Sequence, residues 1–104
     1  MTAFANVTIK KKANIYFDGK VTSRTITLSD GSEKTLGIML PGEYEFGTQK
    51  PEFMEITAGE LSVQLPGFDD WVIVAAGQSF NVPGEAKFRL KVRTVTDYCC
   101  TYLD

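Results

Sequence analysis

Apolar and polar residues alternate along this chain with a period of two, in short runs closed by glycine, proline and aspartate. The cleanest run is Ala86 to Arg93, with Ala86, Phe88, Leu90 and Val92 on one face and Lys87, Arg89, Lys91 and Arg93 on the other. That pattern belongs to a strand buried on one side and solvated on the other. Glu60 to Leu65 repeats it, setting Leu61, Val63 and Leu65 against Glu60, Ser62 and Gln64. In Lys34 to Leu40, Leu36, Ile38 and Leu40 alternate with Thr35, Gly37 and Met39. A glycine inside such a strand marks a bulge or the close approach of another segment. Tyr98, Cys100 and Tyr102 share one face of the last strand.

Turn residues divide the remainder. Ala13 to Asp18 stops at Asp18-Gly19, a hairpin-type turn, and the β-branched run Lys20 to Leu28 stops at Ser29 to Glu33. Pro66 to Asp70 reads as a loop, Trp71 to Ala75 as a short apolar strand, and Ser79 to Val82 ends at Pro83-Gly84. No window of ten or more residues keeps a helical period free of turn signals. Roughly nine or ten short strands between Gly/Pro turns predict an all-β single domain, a closed barrel or jelly roll. Residues 1–12 read as an N-terminal extension or edge strand, and residues 13–104 as the barrel domain. The densest chemistry lies in Pro41 to Leu61, a turn–strand–turn–strand unit carrying Glu43, Glu45, Glu52, Tyr44, Phe46, Thr48 and Met54.

Composition narrows the function. At 104 residues, 43% hydrophobic and 23% charged, the chain suits one ordinary globular domain. Its net charge of -2 gives no electrostatic basis for binding a nucleic-acid polymer. The longest apolar run, Val72 to Ala76, is too short to span a membrane, and the basic Lys10-Lys11-Lys12 follows the first apolar residues, the wrong order for a signal peptide. A cytoplasmic location is expected. Histidine is absent, which removes His-based acid–base chemistry, Ser-His-Asp and Cys-His nucleophiles, and nearly every transition-metal site. Cys99 and Cys100 are adjacent, so in a strand they face opposite ways and form no easy disulfide. Cys100 reads as a small buried hydrophobe.

Two spacings resemble the cupin superfamily. Glu52 with Gly59, and Gly77 with Pro83, stand at the intervals of its two motifs, while the positions of its metal-binding histidines hold Phe46, Thr48 and Phe88. The resemblance implies a cupin-type barrel without the metal. A narrower resemblance runs through Tyr16-Phe17-x-Gly19-Lys20-Val21, Pro41-Gly42-Glu43-Tyr44-x-Phe46-x-Thr48, Pro51-Glu52-x-Met54 and Gly59-x-Leu61. It continues through Trp71, Gly77-x-x-Phe80-Asn81-Val82-Pro83, Phe88-x-Leu90-x-Val92 and Tyr98-x-Cys100-x-Tyr102-Leu103. In this order the elements are similar to the small bacterial pyrimidine/purine nucleoside phosphorylases. The resemblance covers the chain from Tyr16 and leaves out the first dozen residues and Asp104. It implies phosphorolysis of a broad set of nucleosides to free base and pentose 1-phosphate, by a homodimer, with phosphate as co-substrate and no other cofactor.

Such chemistry needs a platform for the base, hydrogen bonds to the pentose hydroxyls and a docking point for phosphate. It rests on positioning and electrostatics, so it requires neither histidine nor metal. If the former metal positions point inward, alternation puts Tyr44, Phe46 and Thr48 on the interior face and turns Glu43 and Glu45 away. Glu52 and Met54 share a face of the next strand, joined by Phe88, Tyr98 and Tyr102. Glu52 is expected to take the pentose hydroxyls, with Glu43 as a second carboxylate, and the aromatics to stack on the base. Stacking does not read base edges, so base specificity is expected to be broad. For phosphate, Lys20, Arg24 and Arg89 are the candidates, with backbone N–H groups near Gly42 or Gly84 as the alternative. Three other readings stand beside this one, among them a purely structural interaction domain. A non-catalytic cupin-like module could bind a sugar or nucleoside, and Glu43, Glu45 and Glu52 could form a carboxylate-only metal site, against which strand alternation argues.

Overall fold

Antiparallel pairing of the predicted strands produces two facing sheets. The computed structural model describes residues 2–103, so Met1 and Asp104, the outer ends of the two expected segments, lie outside the described residues. The strands are β1 (Thr8–Ile9), β2 (Asn14–Tyr16), β3 (Val21–Thr27), β4 (Glu33–Met39), β5 (Gly42–Gly47), β6 (Glu52–Ala58), β7 (Glu60–Gln64), β8 (Val72–Ala75), β9 (Ser79–Val82), β10 (Lys87–Val92) and β11 (Thr96–Tyr102). The larger sheet runs β1-β3-β4-β11-β6-β9, with β2 also paired to β3, and the smaller runs β5-β10-β7-β8. The result is an all-β cupin-type jelly roll. Among the described residues it has eleven strands, β1 being only two residues long and too short to show an alternation in sequence.

Within the stretch 41–61 the chain changes sheets three times. β4 and β6 belong to the larger sheet and β5 and β7 to the smaller, so the chain crosses at Pro41, at 48–51 and at Gly59. Gly59 makes the tightest crossing. Its φ is +86°, and a Cβ there would lie 2.5 Å from the Val95 carbonyl oxygen and 2.6 Å from Thr96 Oγ1, so no other residue fits. Between the sheets the core is fully apolar at Val21, Met39, Ile56, Leu61, Val63, Val82 and Leu90. The basic face of β10 is solvated, as its alternation predicts. Glu43 and Glu45 of β5 stand opposite Lys91 and Arg89 on that face.

β4 presents its less apolar set to the interior. Thr35 and Met39 are buried, whereas Leu36 and Ile38 remain 39% and 41% exposed on the outer face. Gly37 shares the inner set because Tyr98 passes across it: a Cβ there would meet the Tyr98 hydroxyl at 2.8 Å. That is the close approach the glycine predicts. Ahead of β1, the N-terminal segment folds onto the outer face of the same sheet. The Lys34 ammonium lies 5.6 Å from the Phe4 ring centre, and Thr2 borders a depression shared with Glu55 and Thr57. Cys99 faces this outer side and is buried, with Leu36 and Glu55 as cross-strand neighbours.

Candidate functional site

The crossing at 48–51 puts Phe46 and Glu52 on facing walls of one cavity of about 120 Å3 between the sheets. Phe46 of β5 and Phe88 of β10 are register partners, and their rings stack at 5.8 Å with 24° between planes. They form the wall contributed by the smaller sheet. The larger sheet supplies Glu52 and Met54 from β6, then Tyr98, Cys100 and Tyr102 from β11. Thr35 and Met39 of β4 and Ser23 of β3 close the floor. Tyr16 and Tyr102 stand at the mouth, each 42% exposed.

A strained turn sets Tyr16 there. After β2 a short 3-10 turn, Phe17–Gly19, holds Phe17 and Asp18 at φ values of 52° and 56°. Left-handed backbone is costly for residues other than glycine. Packing of the Phe17 ring against Tyr44 at 4.9 Å and Phe46 at 5.3 Å offsets that cost. The turn thereby brings Tyr16 edge-on to Phe46, at 6.2 Å.

Polar groups line the larger-sheet wall. Glu52 sits across the β6–β11 ladder from Tyr102 and diagonally from Cys100. Burial pushes its pKa above the ordinary carboxylate value, and a hydrogen bond with the Cys100 thiol opposes that shift. Burial likewise pushes the Cys100 thiol up to about 12, reinforced by the Glu52 charge. Burial raises the Tyr102 phenol to about 12, and the Thr35 hydroxyl works against the rise at both Cys100 and Tyr102. Deeper in, the Tyr98 hydroxyl donates to the Thr22 carbonyl at 3.3 Å beside the Ser23 hydroxyl, and burial raises its pKa strongly. Asn14 Nδ2 donates to Ser23 Oγ at 3.2 Å. The site therefore combines one half-buried carboxylate, several hydroxyls and an aromatic wall.

Of the residues expected from sequence, Glu52, Phe46, Met54, Phe88, Tyr98 and Tyr102 come together here. Others do not. Tyr44 is buried on the interior face, but its hydroxyl donates to the Leu40 carbonyl at 2.6 Å and its ring packs on Phe17. Thr48 is also interior. Its hydroxyl donates to the Pro83 carbonyl at 2.7 Å and accepts from the Ala86 N–H at 3.1 Å, clamping the 83–86 turn. Glu43 is exposed on the opposite side of β5. Arg89 points outward and pairs with Glu45 at 3.2 Å, and Arg24 donates to the Lys11 carbonyl at 3.4 Å. Lys20 is exposed beyond the 3-10 turn. None of the three cations lines the cavity, nor does Gly42 or Gly84.

Tyr16, Ser23, Thr35, Met39 and Cys100 join the site without having been expected in it. Among the described residues, no group of three or more His, Cys, Asp or Glu side chains could hold a metal ion. Among the same residues no helix is long and apolar enough to cross a membrane.

Comparison with known proteins points the same way. Residues 11–102 match the family model described as pyrimidine/purine nucleoside phosphorylase. A Sulfurovum sp. protein bearing that name is 61% identical over 103 residues, 99% of this chain and 100% of that protein. A Hydrogenovibrio crunogenus protein of the same name is 58% identical over 104 residues, all of both chains. These alignments take in the first dozen residues as well. Among solved structures, a protein of unknown function from Acinetobacter sp. ADP1 superposes with a TM-score of 0.97 at 40% identity, covering 99% of this chain and 100% of that one. An RmlC-like cupin from Shewanella frigidimarina superposes at 0.70 with 17% identity, over 96% of this chain and 86% of that one, which shows the shared fold.

Proposed function

Because this chain belongs to the pyrimidine/purine nucleoside phosphorylase family, we propose that it is a pentosyltransferase that cleaves purine and pyrimidine nucleosides with phosphate. An oxygen of inorganic phosphate bonds to the anomeric carbon as the glycosidic C–N bond breaks, and the electron pair leaves with the base. The products are free base and pentose 1-phosphate. The observation that carries this reading is Glu52, a half-buried carboxylate on the wall of a cavity otherwise lined by aromatics, hydroxyls, two methionines, a thiol and a glycine. Its ionised form accepts hydrogen bonds from pentose hydroxyls and favours the positive charge that develops on the sugar ring as the base departs. The aromatic side chains hold the base, and no cofactor beyond co-substrate phosphate takes part.

The proposal includes a homodimer working in the cytoplasm. Exposed Leu36 and Ile38 on the outer face support self-association, and two buried free thiols suit a reducing compartment. Light scattering in solution checks the first point, with a monomer mass counting against it.

One observation favours a non-catalytic module that binds a sugar or nucleoside: among the described residues no lysine or arginine lines the cavity. Incubation with uridine and with adenosine, each with and without phosphate, separates the two readings. A phosphorylase releases free base only when phosphate is present. Release that ignores phosphate, or no release with either nucleoside, overturns the proposal.

A further inference from the structure

We infer, resting on the phosphorylase reading, that the cavity receives the pentose alone and that Tyr16 and Tyr102 hold the base outside it, at the mouth. Size is the first reason. A protein cavity of roughly 150 Å3 holds one benzene ring, so a cavity of about 120 Å3 takes one ring of a nucleoside and not both. Pockets that enclose a drug-sized ligand are several times larger, roughly 300 Å3 and upward.

The polar groups decide which ring enters. Glu52, Ser23, Thr35 and Tyr98 offer a carboxylate and hydroxyls along the larger-sheet wall, which suits the hydroxyl-bearing face of a pentose. Among the described residues no asparagine or glutamine lines the cavity to meet the donor–acceptor edge of a base. Nor is there a free aromatic slot inside. Phe88 is 3% exposed, with Phe46 stacked on it at 5.8 Å and the edge of Phe80 at 6.3 Å. Phe46 is partly exposed, but Tyr16, Phe17, Tyr44 and Phe88 crowd its ring. The most exposed lining rings are Tyr16 and Tyr102, each 42% exposed at the rim. Flat apolar faces with a polar tip suit stacking at a partly wet edge.

Two consequences follow. A base held outside the cavity is not tested for size, so purines and pyrimidines are accepted alike. The anomeric carbon then lies at the mouth, where phosphate arrives from solvent rather than through the cavity. The lack of cationic side chains along the cavity wall is consistent with that route.

The test is calorimetric binding without phosphate, so that it does not depend on turnover. Uridine is compared with a C5-substituted uridine carrying a bulky group on the base edge, and with uridine O-methylated on a sugar hydroxyl. Base bulk is expected to change Kd less than threefold and sugar methylation to weaken binding at least tenfold. Tyr16→Ala is expected to weaken uridine and adenosine equally, at least threefold, and to leave binding of free pentose 1-phosphate unchanged. Equal or reversed sensitivity to the two modifications overturns the assignment while leaving the phosphorylase reading in place. Failure of unmodified uridine and adenosine to bind overturns both.

Discussion

The Cys100 thiol lies beside the Glu52 carboxylate diagonally across the β6–β11 ladder, so among the described residues the one carboxylate lining the cavity neighbours a group that does not ionise at neutral pH. The pair sets both the charge of the site and its cost. Burial works against the ionised carboxylate, and a single thiol hydrogen bond is weak compensation.

Glu52→Gln should therefore trade function for stability. The pKa of Glu52 is raised in the folded state, so the stability its protonated form contributes is complete below the ordinary value of 4.5. It is lost as pH rises through the raised folded value. Glutamine keeps the shape and the acceptor for Cys100 without the buried charge. Thermal melts are expected to show the variant more stable than the wild type at pH 7, with the gain gone at pH 4. Phosphate-dependent base release should fall by about 10²–10³, the usual loss for one electrostatic contact to the reacting centre. A variant that is less stable at pH 7, or fully active, contradicts this account.

Neither cysteine should behave as a redox or nucleophilic group. With the Cys100 pKa near 12, on the order of 10⁻⁴ of it is thiolate at pH 8, and Cys99 is buried with its pKa also raised. An aromatic disulfide reagent should label neither thiol in the folded protein over minutes, and both after denaturation. Rapid native labelling would show that the site opens.

Thr48 lies on the interior face of the site strand yet acts on the fold. Thr48→Val strands the Ala86 N–H and removes a bond to the Pro83 carbonyl. Denaturant titration should show a loss of about 1–3 kcal/mol, while KM for nucleosides stays within twofold. A large KM effect with unchanged stability would return Thr48 to the binding site.

Arg89 tests the phosphate expectation. A side chain that turns outward into an exposed ion pair with Glu45 should cost less than about 1 kcal/mol when replaced by alanine. KM for phosphate should change less than twofold in Arg89→Ala. A tenfold rise would mean that phosphate binds on the outer face of β10.

Gly37→Ala places a methyl against the Tyr98 ring and the Thr22 carbonyl. Overpacking of this kind costs about 1–3 kcal/mol, and here it also moves the floor of the cavity. Stability and kcat/KM are expected to fall together. Full activity in a stable variant would show that Tyr98 plays no part in the site.

Local alternation determined a great deal by itself. The all-β class, the solvated basic face of β10, the inward Tyr98–Cys100–Tyr102 stripe and the outward turn of Glu43 all follow from period two, because successive strand residues must face opposite ways. The glycine at 37 announced a close approach before its partner was known. What alternation cannot decide is which face of a strand becomes the inside when both are plausible. In β4 the interior took Thr35, Gly37 and Met39, because Tyr98 needs the space over Gly37 and the N-terminal segment shields part of the outer face. Nor can it tell whether an inward hydroxyl is free. Tyr44 and Thr48 are inward as predicted, but backbone carbonyls 4 and 35 residues away claim their hydroxyls. Sequence placed Glu52 and Phe46 in one short stretch. Only the crossing at 48–51 sets them on facing walls, since the distance between residues of different sheets is fixed by packing and not by their separation along the chain.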